Sequence, residues 1–381
     1  MLQLPPLSLY VHIPWCVQKC PYCDFNSHAL KDAIPEQAYV DALLDDLRQD
    51  LHLVQGRRLH SIFIGGGTPS LLSPEAIARL LAGVAQLVPF EADIEITLEA
   101  NPGTVEAGRF RGFREAGVNR ISIGVQSFQP DQLARLGRIH DPEQARFAAR
   151  EAASVGLRTF NLDLMHGLPE QRPEDALQDL EQALALAPPH LSWYQLTIEP
   201  NTPFASRPPA LPEDEVLADI YEQGHALLLA RGYRQYEVSA YARPGHEARH
   251  NLNYWRFGDY LGIGCGAHGK VTLPLEGKLV RTVKVKHPKG YLEPGRPYLD
   301  QYWPVAPQDL SLEYFMNRLR LFEPIPRDEF TRLTGLAPER LSAPLSEAMR
   351  LELLVEDEQH WRVTPLGRRF LNRLLDLFIT D

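Results

Sequence analysis

The stretch Tyr10-Val-His-Ile-Pro-Trp-Cys16-Val-Gln-Lys-Cys20-Pro-Tyr-Cys23-Asp-Phe25 places three of the chain's four cysteines within eight positions, directly after an apolar run that reads as a strand. Thiolates are soft ligands that select zinc, copper(I) or iron–sulfur clusters, and such clusters are usually held by four of them. Three leave one metal position unclaimed. A structural zinc site would draw its fourth ligand from His12 or His28, but zinc motifs usually come as two ligand pairs separated by a loop. A disulfide framework fits less well still, because the chain is long, poor in cysteine and without a secretory signal.

Beyond this stretch, short apolar runs alternate with amphipathic helical stretches, the pattern of a parallel sheet covered by helices. Strands are predicted at Leu7–Ile13, Ser61–Ile64, Ile94–Leu98, Arg120–Val125, Thr159–Leu164, Leu191–Thr197 and Tyr236–Ala240. Helices are predicted at Pro35–Val54, Ser73–Leu87, Thr104–Glu115, Pro142–Ser154, Pro173–Leu186 and Glu213–Ala230, several opening on Pro or Ser as helix N-termini do. This order describes an α/β fold, an opened, partial TIM-like barrel, whose chemistry belongs at the carboxyl ends of the strands. Polar groups stand at those ends: Gly65-Gly-Gly-Thr-Pro69, Glu99-Ala-Asn-Pro102, Gln126-Ser-Phe and Asp163. Packing alone explains that succession poorly, although a Gly triplet by itself is more often only a tight turn.

A second region begins in the Pro-rich stretch between Tyr291 and Pro307. Helices are predicted at Leu310–Leu321, Pro326–Thr334 and Pro344–Leu353, then a short strand at Trp361–Thr364 and a last helix at Pro365–Leu377. The pattern suggests a small, winged-helix-like module. From Asp309 to Asp381 it carries 13 acidic and 10 basic side chains, so it lacks the basic footprint of a DNA-binding domain. The whole chain, 381 residues with a net charge of −10 and 44% apolar residues, has enough core for a large and a small domain and argues against nucleic-acid binding. Its N-terminus lacks the basic flank and apolar stretch of a signal, and no run approaches the roughly 18 apolar residues of a membrane helix. A cytoplasmic protein without an integral membrane segment is expected.

The spacing Cys-x3-Cys-x2-Cys after a strand, with aromatic Tyr22 before the third cysteine, resembles the signature of the radical SAM superfamily. Nearly the whole chain resembles the HemN/HemW group within it. The likeness runs from Tyr10-Val-His-Ile-Pro through Gly-Gly-Gly-Thr-Pro-Ser, Glu-Ala-Asn-Pro, Gly-Val-Gln-Ser-Phe and Leu-Asp-Leu-Met-His-Gly-Leu-Pro, and on to Glu313-Tyr-Phe-Met-Asn-Arg-Leu-Arg-Leu321 and Val363-Thr-Pro-Leu-Gly367. The resemblance implies a radical SAM barrel with a family-specific extension over residues 1–300 and a HemN-type C-terminal domain over 301–381. It also implies a 4Fe–4S cluster held by Cys16, Cys20 and Cys23, whose free iron binds S-adenosylmethionine. The S-adenosylmethionine residues map onto Tyr10, Tyr22, Gly66, Gly67, Thr68, Glu99, Gln126, Arg138 and Asp163. Glu99 or Asp163 suits ribose hydroxyls, and Arg138 suits a carboxylate as a bidentate donor, although an Arg on a helix is often only a solvated charge.

Two branches of the group are distinguishable. The oxygen-independent coproporphyrinogen III oxidases carry a further cysteine two residues beyond the third, where this chain has Phe25, and a longer N-terminal extension than the nine residues before Tyr10. Phe25-Asn-Ser-His and His250-Asn-Leu-Asn-Tyr-Trp255 instead resemble the branch implied to bind haem and deliver it to acceptor proteins. His250, read as lying in a loop beside Tyr254 and Trp255, is the candidate axial ligand of haem. It could equally cap a turn. Cys265, in the Gly-rich run Gly262–Gly269, is a weaker candidate, since a lone Cys is commonly a small buried hydrophobe; the run itself could instead shape the mouth of the site. Haem, haem-acceptor proteins, an electron donor such as flavodoxin or ferredoxin, and a homodimer are the implied partners. The rival expectations are a coproporphyrinogen III oxidase and a zinc-stabilised binding module.

Overall fold

The computed structural model describes residues 2–104 and 107–379. Its centre is a 12-stranded sheet. In chain order the strands are β1 (Leu7–Ile13), β2 (Leu59–Gly66), β3 (Phe90–Ala100), β4 (Arg120–Gln126), β5 (Thr159–His166), β6 (His190–Gln195), β7 (Arg234–Glu237), β8 (Ala240–Ala242), β9 (Asp259–Gly264), β10 (His268–Leu273), β11 (Lys278–Lys284) and β12 (Leu299–Pro304). Spatially they run β12-β11-β10-β9-β1-β2-β3-β4-β5-β6-β8-β7, parallel from β9 to β6 and antiparallel at both flanks. β12 and β7 end the order unpaired with each other, so the sheet is not closed into a barrel.

Period-two alternation builds the layers. Leu9, Val11, Ile62, Ile64, Ile96, Leu98, Ile121 and Ile123 point to the helix side and share one core with Tyr39 and Leu43 of the helix Glu36–Gln49 and with Ile77 and Leu80 of the helix Pro74–Leu87. The other face is polar yet buried. Ser8 and Ser61 pair at 2.8 Å, and Asn161 donates to Ser122 at 2.8 Å. In such a sheet both faces are covered, and the polar groups are retained because they satisfy one another. Register then aligns the inward positions, with Glu99 opposite Ser122, Gly124 opposite Asp163 and Asp163 opposite Ser192.

The predicted strands from Leu7 to Thr197 are found, longer by a few residues in several cases. The single strand predicted at Tyr236–Ala240 is instead two antiparallel strands, β7 and β8, because Val238 and Ser239 turn between them. Of the helix predicted over Thr104–Glu115, positions 105 and 106 lie outside the described residues, and the helical part runs Ala107–Ala116. Four strands, β9 to β12, stand where the sequence pattern predicts none. β12 occupies part of the Pro-rich stretch that reads as the start of the second region.

The C-terminal part combines the helices Leu310–Arg318, Glu329–Thr334 and Ser342–Arg350 with a three-stranded sheet in the order Ile325–Pro326, His360–Val363, Leu354–Glu356. It has its own aromatic core of Tyr314, Phe315, Phe330, Trp361 and Phe378, which reaches Phe257 and Leu279 on the side of the large sheet. No helix among the described residues is long and apolar enough to cross a membrane.

Candidate functional site

The three-cysteine loop leaves β1 at Ile13 and is tied at its base. Trp15–Cys16 pairs in parallel with His28–Ala29, and the backbone N–H groups of His28 and Leu30 donate to Pro14 O (2.7 Å) and Cys16 O (2.8 Å). All three thiols are free and half-buried, and all line one cavity of about 290 Å3 at the carboxyl ends of the parallel strands. Arg138 reaches the same point. Its Nη1 lies 3.5 Å from Cys20 Sγ, and its Nη2 donates to Asn101 Oδ1 at 2.5 Å and to Gly124 O at 2.7 Å. Burial pushes the Cys16 thiol above its ordinary value, against the lowering effect of Thr68 and Ser27 beside it.

The Gly65–Pro69 loop is laced to the cysteine loop. Gly67 N donates to Ile13 O and Thr68 N to Trp15 O, both at 2.7 Å. Gly66 has φ +112°, a conformation that favours glycine, and a Cβ there would sit 2.5 Å from the His12 ring. A Cβ on Gly67 would sit 2.5 Å from Trp15 O and 2.9 Å from Ile13 O, backbone atoms that cannot step aside cheaply. Gly67→Ala is therefore expected to cost on the order of 1–3 kcal/mol, as overpacking does, and to lower the iron retained after anaerobic reconstitution. A thermal melt and an iron assay check this; an unchanged melting temperature would contradict the packing account.

Two carboxyl groups face the cavity. Glu99 accepts from Gly66 N at 3.1 Å and is pushed up to about 8, by burial first and then by the neighbouring Asp163 carboxylate. Asp163 accepts from Asn161 Nδ2 (2.8 Å) and Ser122 Oγ (3.1 Å) and is likewise raised by burial, against those hydrogen bonds. Such carboxyls are suited to a cationic or hydroxyl-rich ligand, whose arrival restores what burial removes. Gln126 closes the row with φ +70°, just past a register irregularity between β4 and β5, and its Oε1 accepts from Tyr194 OH at 2.8 Å. A non-glycine residue held in this region is strained, and strain of this kind gathers at ligand sites.

Of the residues singled out from sequence, Cys16, Cys20, Cys23, Tyr22, Gly66, Gly67, Thr68, Glu99, Gln126, Arg138 and Asp163 converge on this cavity. Tyr10 does not line it. Tyr10 lines an adjacent cavity of about 450 Å3 that shares Phe25, Gly66 and Glu99 with the first, and its hydroxyl lies 2.9 Å from His12 Nδ1. His250 lines neither cavity and is not in a loop. It sits in the helix Arg249–Trp255, 1% exposed, with Nδ1 2.8 Å from Ser61 Oγ and its backbone N–H on Glu95 Oε1, because that short helix packs under the polar face of the sheet. Burial, then the charge of Arg120, holds its imidazole down at about 3. Cys265 is also fully buried, with its thiol donating to Lys286 O at 2.7 Å. Ser122 and Tyr194 were missed, though both are inward positions of strands that were predicted. The alternation that put Asp163 on the inner face carries the same signal for them.

The candidate fourth zinc ligands are already engaged. His12 Nδ1 and Nε2 meet Tyr10 OH and Asn26 O (2.8 Å), and His28 Nε2 meets Asn26 Oδ1 at 3.3 Å.

A strand-end thiol triplet, a glycine loop laced to it and a half-buried carboxyl pair on an open, mostly parallel sheet together define a radical SAM protein. The model of the Radical SAM superfamily matches residues 10–182, and that of the HemN C-terminal domain matches residues 305–370. Over its full length the chain is 60% identical to the heme chaperone HemW of Escherichia coli and 58% identical to that of Haemophilus influenzae, covering 100% of each relative. A mouse mitochondrial relative, radical S-adenosyl methionine domain-containing protein 1, is 43% identical over 69% of this chain and 60% of its own. Among solved structures, the coproporphyrinogen III oxidase HemN of E. coli superposes with a TM-score of 0.84 at 26% identity, over 99% of this chain and 91% of that one. The chain belongs to the HemW family.

Membership of the radical SAM superfamily implies a 4Fe–4S cluster and S-adenosylmethionine. The residues present fit both. Three free thiols share one wall of the cavity, the half-buried Arg138 carries a buried Nε without a hydrogen-bond partner, and two half-buried carboxyls are raised above their ordinary values, which a cationic ligand would oppose.

Proposed function

We propose that the chain is a haem chaperone that binds haem and passes it to acceptor proteins, with a 4Fe–4S cluster on Cys16, Cys20 and Cys23 and S-adenosylmethionine beside it. The observation that carries this reading is the full-length identity of 60% to the heme chaperone HemW of E. coli. Phe25 supports it, standing 61% exposed where the oxidase pattern has its fourth cysteine.

In this reading each side chain has a chemical task. The cluster supplies, when bound, an electron and an iron position open to the amino and carboxylate groups of S-adenosylmethionine. Arg138, already fixed on Asn101 and Gly124, adds a cation beside the thiolates and a donor for the ligand's carboxylate. Glu99 and Asp163 meet its ribose or its positive charge, Gln126 both donates and accepts, and the Gly66–Gly67 backbone lets the ligand approach. Tyr22, half-buried in the cavity wall near Phe204, closes one side against water. A flavodoxin or ferredoxin would serve as electron donor. A homodimer and a cytoplasmic setting complete the proposal.

The second reading, coproporphyrinogen III oxidation, is favoured by the superposition on HemN. The two separate in one anaerobic experiment. Reconstituted protein with reductant, S-adenosylmethionine and coproporphyrinogen III is expected to form no protoporphyrinogen, while the same preparation takes up hemin with a shifted Soret band. Substrate-dependent protoporphyrinogen formation would reverse the order of the two readings.

A further inference from the structure

The second cavity has the chemistry of a porphyrin site. Half-buried Tyr254 and Tyr260 meet edge to face on its wall, with ring centroids 4.4 Å apart, and Tyr10 stands beside them. Aromatic surface of this kind suits a flat, largely apolar ring system. Two imidazoles also line it. His12 has spent both ring nitrogens, on Tyr10 OH and Asn26 O. His268 is exposed, and no hydrogen bond or ion pair of its ring is found among the described residues. Burial, followed by the charges of Lys286 and Arg281, holds His268 below its ordinary value, so the ring is neutral at pH 7 and keeps a lone pair for a metal.

Sequence explains how His268 comes to be there. In the run Gly262–Gly269, a Cβ on Gly262 would overlap the carbonyl of His268, and one on Gly266, at φ +73°, would overlap the Asn26 amide. The glycines let β9 and β10 cross closely and press the turn between them against Asn26, two residues beyond Asp24 in the cysteine loop. His268 thereby lines the cavity that Phe25 also lines. Arg281, which donates to Tyr260 OH at 2.8 Å, is committed to Glu313 at 2.6 Å. Lys286 is exposed on the adjoining turn and makes no ion pair among the described residues.

We propose that haem docks in this second cavity, with the porphyrin against Tyr254 and Tyr260, His268 as an axial imidazole and Lys286 toward a propionate. The inference rests on the haem-chaperone reading and deepens it. It assigns His250 a positioning role: that residue, behind Tyr254 with ring centroids 4.6 Å apart and bonded to Ser61, holds the aromatic wall in place. Haem and S-adenosylmethionine would then be neighbours across Phe25, Gly66 and Glu99, the residues common to both cavities.

The test is a hemin titration of the anaerobically reconstituted full chain as wild type, His268→Ala and His250→Ala. It reads the Soret position, the paramagnetic resonance signature of imidazole-ligated ferric iron, and the dissociation constant, with iron–sulfur content and circular dichroism as checks on folding. The wild type is expected to show imidazole ligation. His268→Ala is expected to lose that signature and bind about tenfold more weakly, and added imidazole should restore the signature. His250→Ala should melt at a lower temperature yet keep the signature in its folded fraction. A signature that survives in His268→Ala, or vanishes in His250→Ala alone, overturns the assignment and leaves the chaperone reading standing. Failure of the wild type to bind hemin removes that reading itself.

Discussion

Replacing Cys20 by Ala, or either of its two partners, is expected to reduce the iron and acid-labile sulfide held after anaerobic reconstitution to background, while the melting temperature of the metal-free protein hardly moves. The two halves of the result have different causes. A 4Fe–4S cluster in this loop depends on three thiolates and has no fourth to fall back on, since Cys265 lies 0% exposed in the core of the large sheet with its thiol bound to a backbone carbonyl. The loop thiols are half-exposed and contribute little to the core, and substitutions at such positions usually stay within about 0.5 kcal/mol. This separates the loop's chemistry from its architecture, which the Gly67→Ala variant probes instead. A cysteine variant that kept a full complement of iron and sulfide would contradict the ligand assignment.

Glu99→Gln is expected to strengthen the fold and weaken the site. Glu99 is raised from an ordinary 4.5 to about 8, chiefly by burial and then by Asp163. The sign follows from linkage. A carboxyl whose folded value lies above its unfolded one holds its proton more tightly in the folded state, so stability is lost as pH rises from 4.5 to about 8. At pH 7 that loss is on the order of 3 kcal/mol, and an isosteric amide, with no proton to give up, avoids it. The variant should therefore melt higher than the wild type at pH 7 to 8, with the difference shrinking toward pH 5. Binding runs the other way. In the proposed site the sulfonium cation of S-adenosylmethionine meets an ionised Glu99 more favourably, so wild-type affinity should rise more steeply between about pH 7 and pH 9 than the variant's, which should also be lower. Calorimetry in buffers of different ionisation enthalpy would show more proton release on binding to the wild type than to the variant, the excess coming from Glu99. Equal affinity and equal pH dependence in both proteins would sink this account.

Much of the site was legible because period-two alternation and strand-end chemistry are both written locally. Ser8, Tyr10 and His12 alternate with Leu7, Leu9, Val11 and Ile13, and the same rhythm places Glu99 and Asp163 on the inner face. The strands β9 to β12 were illegible for a physical reason. Their charged positions look solvent-facing, yet Lys270 is buried on Asp259 at 3.1 Å, and Lys284 on Asp46 and Asp50 at 2.5 and 2.7 Å. A buried lysine is tolerated only when paired, and partners 11, 238 and 234 residues away cannot be read from a local pattern. The glycines of β9 hid it further, since they serve a close backbone crossing rather than a turn. The setting of His250 was equally illegible: the sequence suggests a loop, whereas the residue lies in a helix with Nδ1 on Ser61 Oγ and Nε2 buried without a hydrogen-bond partner, and no local pattern carries those contacts.

Delivery of haem from this chain to another protein is open to direct observation. Hemin is bound to the anaerobically reconstituted protein, the excess is removed, and an apo-haem protein such as apomyoglobin is added while the Soret region is followed. The predicted result is near-stoichiometric loading followed by conversion of the spectrum to that of the acceptor, at a rate that rises with acceptor concentration. Protein that retains no hemin after the excess is removed, or that loses it at a rate indifferent to the acceptor, would contradict the claim.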